Sequence, residues 1–139
     1  MRSILLFLVI ASSSFVLSAQ SVTGRWTTID DATGKAKSVV EITERNGKLS
    51  GRIVEIFDPA KRDKRCEKCP GDRSNQALLG MEIIRSMVPE GKEWKGGTIL
   101  DPENGKVYDC KIWLDSGKLQ VRGYVSFFYR TQVWVREGK

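Results

Sequence analysis

Between Leu100 and Val125 two tight turns flank runs of strict alternation, and that pattern leaves the chain few folds to choose from. The turns are Asp101-Pro102-Glu103-Asn104-Gly105 and Asp115-Ser116-Gly117. Tyr108, Cys110, Ile112 and Leu114 fall on one face of the run between them, while Val107, Asp109, Lys111 and Asp115 fall mostly on the other. Beyond the second turn, Leu119, Val121, Gly123 and Val125 alternate with Lys118, Gln120, Arg122 and Tyr124. Period-two alternation across a short Gly-containing turn predicts a β-hairpin with one buried face.

The rest of the chain repeats the device. Strands are expected at Gly24–Ile29, at Lys37–Glu44, which stops at the hairpin signal Asn46-Gly47, and at Lys48–Phe57. A charged loop, 59–75, then breaks the pattern. Residues 77–88 fit helical and alternating spacing about equally; Gly80 and Pro89 weaken a long helix, so Gly80–Met87 is read as strand. Trp94–Leu100 follows, with a bulge or close backbone approach expected at Gly96-Gly97. The last strand is expected over 130–136. A Gly-Lys step recurs at the turns, as at Gly34-Lys35, Gly47-Lys48, Gly105-Lys106 and Gly117-Lys118, the Gly supplying positive φ and the Lys an exposed first strand residue. About eight strands joined by short sequential turns predict an all-β, eight-stranded antiparallel up-and-down barrel, with the Cys-containing loop between strands three and four. Closing the first strand on the last removes both edges. An open two-layer sandwich is the competing architecture.

Residues 1–19 read as a secretory signal: Arg2, the apolar run Ile4–Ala11, then small residues ending at Ala19. That leaves about 120 of the 139 residues as one domain, 20–139, expected in the periplasm or outside the cell. The whole chain carries a formal +6, spread over turns apart from the cluster Lys61–Arg65. Dispersed lysines with no aromatic-interleaved stripe exclude a nucleic-acid footprint, and no transmembrane span is expected in the mature chain.

The sequence contains no histidine, which removes the commonest general base and metal ligand. No catalytic residue, metal site or cofactor is therefore assigned. Asp30, Asp31, Asp101 and Asp115 sit in turns, where Asp caps the local backbone. Cys66-x-x-Cys69 lacks the helix N-terminus of a redox pair and the second ligand pair of a zinc site, so export makes it a disulfide candidate. Cys110, on a face with Ile112 and Leu114, reads as a buried free thiol, with a bond to Cys66 or Cys69 as the alternative. Trp26, Trp94, Trp113 and Trp134, with Tyr108 and Tyr124, are many large aromatics for one small domain, fitted either to core packing or to lining a cavity. Trp134 shares a face with Gln132 and Arg136, and Arg122 and Tyr124 face either solvent or the polar end of a lumen.

Nearly the whole mature sequence resembles an exported bacterial family, domain of unknown function 2147. The matching segments include Gly24-Arg25-Trp26, Gly47–Ile53, Cys66-Glu67-Lys68-Cys69, Trp94–Gly97, Asp101–Tyr108, Leu119–Tyr124 and Arg130–Trp134. The resemblance implies a lipocalin-like barrel and brings no established activity. Gly24-x-Trp26 is also similar to the opening of lipocalin-type barrels, where the Trp closes one end and a basic residue near the last strand packs across it. Arg136 fits that place, with Arg122 as second choice. The expectation is an exported, non-enzymatic barrel binding a small apolar or anionic ligand through Trp26, Arg122, Tyr124, Trp134 and Arg136. The alternative is a filled barrel acting as an envelope interaction module, its 59–75 loop meeting a protein partner.

Overall fold

The computed structural model describes residues 21–138, so the expected signal segment lies outside the described residues. Eight strands run in order: β1 (Gly24–Ile29), β2 (Ala36–Arg45), β3 (Lys48–Ile56), β4 (Glu82–Glu90), β5 (Glu93–Asp101), β6 (Lys106–Asp115), β7 (Lys118–Val125) and β8 (Phe128–Arg136). Each pairs antiparallel with the next, and β1 returns to β8 to close the barrel. The expected hairpin is β6–β7, its register running from Asp109 opposite Tyr124 to Asp115 opposite Lys118.

The alternation decides which side chains fill the interior. Ile112, Leu119, Val121 and Trp134 point inward and are buried, as are Ile42, Leu49, Ile84 and Met87 from the opposite wall. In β2 the adjacent Val39 and Val40 are both fully buried, but only Val40 joins the core cluster. The register against β3 shifts between them, where β3 carries the extra residue Val54 between Ile53 and Glu55.

Strand β4 runs further than its pattern suggested, to Glu90 and through Pro89. Its pairing with β3 ends at Met87, so the proline ring lies where no ladder bond to β3 is needed. Ser86 adopts a φ of 59°, a kink in the strand. The neighbouring β5 shifts register against β6 between Trp94 and Gly97. A Cβ on Gly97 would sit 2.1 Å from the Arg85 carbonyl oxygen, so this is the close backbone approach expected of the glycine pair.

One end of the barrel is plugged. Trp26 is fully buried there, its indole N–H donates to the Val22 carbonyl at 2.8 Å, and the Arg136 guanidinium carbon lies 4.2 Å from its ring centroid. Arg136 in turn donates to the Ser21 and Thr23 carbonyls, tying the incoming chain across the opening. At the other end the β3–β4 connection folds over the rim. It holds two single-turn 3₁₀ helices, Pro59–Lys61 and Gly71–Arg73, and the Cys66–Cys69 disulfide. The loop abuts the β5–β6 turn so tightly that a Cβ on Gly105 would meet the Lys68 carbonyl oxygen at 2.0 Å.

Closure is uneven. The β1–β8 ladder comprises only Trp26 opposite Arg136 and Thr27 opposite Val135, near the plugged end, with a further bond from the Glu137 N–H to the Arg25 carbonyl. Towards the open end the two strands are bridged by side chains: Arg130 Nη2 lies 2.7 Å from Asp31 Oδ2.

Candidate functional site: an apolar cavity with a charged mouth

The open end leads into a cavity of about 450 Å³, within the usual range of small-molecule sites. Its walls come from inward positions of β3, β4, β5 and β7, chiefly Ile53, Ile83, Ile99, Leu100 and Val121. Gly123, flush with the wall, leaves space that a side chain would fill. Trp134 lies at its inner limit, its indole N–H already donating to Gln132 Oε1 at 2.9 Å. Polar groups in the wall are few and paired: Thr28 and Ser38 hydroxyls lie 2.8 Å apart, and Asn104 Nδ2 donates to the Tyr108 hydroxyl at 3.2 Å.

The mouth carries charge. Lys37 Nζ lies 3.0 Å from Asp30 and 2.8 Å from Glu103, while Arg130 holds Asp31. The Thr33 backbone N–H and then Lys37 bring the Asp30 carboxyl down to about 2. The Lys37 ammonium holds Glu103 below the ordinary carboxylate range, and Glu103 in return raises Lys37. Asp30 and Asp101 also cap their own turns, accepting from Ala32 and Thr33 and from Glu103 respectively. One residue thus serves turn and rim together, which reading Asp as a turn cap could not reveal.

Of the five residues expected to bind a ligand, Trp134 alone lines this cavity, joined there by Tyr108 from the wider set of aromatics. Trp26 and Arg136 form the plug at the opposite end. Arg122 and Tyr124 sit on the outer face of β7. There the Arg122 guanidinium is sandwiched 4.8 Å from the Trp113 ring and 4.1 Å from the Tyr129 ring, and it donates to Thr131 Oγ1 at 2.8 Å. Tyr124 packs on Tyr129 at 5.9 Å between centroids. The rim residues Lys37, Glu103 and Arg130 were not singled out, because nothing in a single strand's pattern says which turns converge on one end.

Cys66 and Cys69 are bonded to each other, and Cys110 is a buried free thiol pushed by desolvation up to about 12. Among the described residues no cluster of three or more His, Cys, Asp or Glu is placed to hold a metal ion.

Comparison with solved structures finds a likeness to a Helicobacter pylori protein, HP1028, described as belonging to the lipocalin family. The TM-score is 0.74 at 21% identity, over 87% of this chain and 86% of that one. A comparison with curated proteins finds no match. The family model described as "Uncharacterized protein conserved in bacteria (DUF2147)" matches residues 24–136, and the chain therefore belongs to the DUF2147 family, with a lipocalin-like barrel as its fold.

Proposed function

We propose that this protein is an exported, non-enzymatic carrier that holds a small, largely apolar ligand in the open end of its barrel. The cavity carries this reading. It is large enough for a ligand, walled by aliphatic side chains, open at one end and stopped at the other by Trp26 beneath Arg136. Eight-stranded barrels have room for one small ligand when side chains leave the lumen partly empty. The absence of histidine and the pairing of the mouth's Lys37 and Arg130 with carboxylates both support binding over acid–base catalysis.

The mouth also narrows the ligand's polar end. Its lining holds Asp30, Asp31, Asp101 and Glu103 against only Lys37 and Arg130. That balance works against an anionic group and favours a neutral or cationic one.

A fluorescence titration with an apolar probe tests the proposal, paired with the variant Gly123→Leu. A Cβ at Gly123 meets Tyr108 Cβ at 3.5 Å, an ordinary contact, so the larger side chain grows into the cavity without backbone strain. Affinity should fall about tenfold or more while the melting temperature holds or rises. Equal probe binding by both forms would place the ligand elsewhere and return the barrel to a scaffold role.

A further inference from the structure

The β7–β8 turn presents apolar side chains that nothing in the described residues covers. Phe127 is 97% exposed, Phe128 79% and Val125 54%. The turn is built against its own chemistry. In the two-residue turns Asn46-Gly47 and Ser116-Gly117 both positions have positive φ and the second is glycine, whereas here Ser126 has positive φ and the second position is Phe127, which does not. A side chain this exposed gains almost nothing from folding. Its contribution lies in contact with something outside the chain.

We propose that this tip docks the mouth of the barrel onto a lipid surface, with Phe127 and Phe128 entering the apolar zone. Three observations select a bilayer. First, the β7–β8 hairpin is graded in polarity away from its tip. Behind the phenylalanines come Tyr124 and Tyr129, and two residues further along β7 Arg122, stacked on Trp113 beside Lys111. Hydrocarbon, amphipathic ring and cation follow one another in the order of acyl chains, interface and headgroups. At about 3.3 Å per residue the rungs span the depth over which interfacial elements bury their apolar face. Second, the tip is convex, two residues wide and without a groove. Such a shape enters a fluid surface without a complementary pocket, which a folded partner would have to provide. Third, Val125 and Phe128 also line the cavity, so the apolar surface runs unbroken from the barrel interior to the tip.

The inference deepens the carrier reading and rests on it: a ligand too apolar for water would pass between bilayer and barrel along this path.

The test is flotation with vesicles of phosphatidylethanolamine and phosphatidylglycerol, using protein secreted from a bacterial host and shown by mass to have lost its leader. Wild-type protein should float in low and in high salt, because apolar insertion is not screened. Phe127→Asp should lower partitioning roughly ten- to hundredfold, the value of burying one phenylalanine. Phe127 is absent from the cavity lining, so the same variant should bind the apolar probe in solution as tightly as wild type. No flotation, or flotation equal in both forms, overturns the proposal. So does a wild-type dimer that Phe127→Asp disperses without any vesicle binding, which would assign the tip to a second copy. Probe binding without flotation sinks the docking alone, while flotation dependent on Phe127 without probe binding sinks the carrier reading.

Discussion

Trp26 shows how one side chain settles an end of the molecule. Its ring is wholly buried, its N–H is satisfied by Val22, and Arg136 covers it from the last strand. Trp26→Ala should therefore cost about 3–5 kcal/mol in chemical denaturation, the scale of a buried aromatic truncation. A loss below about 1 kcal/mol would show that the plug contributes little. Cys110 gives a second residue-level prediction. With its thiol raised to about 12 by burial, it should resist thiol reagents at neutral pH until the barrel is unfolded. The sign for stability follows from the same shift. Above about 9 the unfolded chain loses that proton while the folded one keeps it, so stability should fall as pH rises from there towards about 12. Burial of Cys110 was legible from its company with Ile112. The placement of Arg122 was not, since alternation separates two faces and leaves open which one meets water.

Strands and turns were the most readable level, because period-two alternation and Asn-Gly or Ser-Gly steps are local signals. Strand β4 shows where that legibility stops. Ala77, Met81, Ile84 and Val88 mimic helical spacing, and what selects strand is pairing with β3 and β5, which belongs to the tertiary structure. The β3–β4 connection is readable only as a loop; its packing against Gly105 depends on contacts distant in sequence. Its disulfide closes a separation of three residues, which removes little chain entropy. Replacing both Cys66 and Cys69 by serine should cost about 2 kcal/mol, read as a lower denaturation midpoint with barrel circular dichroism unchanged. The loop keeps other anchors: Arg65 pairs with Ala77 through the backbone, and Arg85 holds Asp72 with two hydrogen bonds. Collapse of the whole fold on reduction would show that the clip, and not these contacts, organises it.

For the molecule as a whole, the number and order of strands pointed to closure, and closure is found. The hollow was not readable. Whether a lumen is filled depends on how side chains such as Gly123 and Val121 meet across several strands. The mouth is equally a property of the assembled barrel, since residues 30–37, 101–106 and 130 become neighbours only there. Its electrostatics predict acid sensitivity. Asp30 and Glu103 have folded-state values below their ordinary ones, so their contribution is present above about pH 4 and is lost as pH falls, that of Asp30 towards about 2. An acid titration should show the rim loosening in that window, and Asp30→Asn should flatten the change.

The short ladder between the first and last strands has its own dynamic consequence. Backbone amides of β8 between Phe128 and Trp134 that face β1 lack cross-strand partners there, so hydrogen exchange should reach them well before their counterparts on the β7 side. With the Arg130–Asp31 ion pair as the latch across that stretch among the described residues, this seam is where the barrel wall should part first, without unpicking any other strand pair.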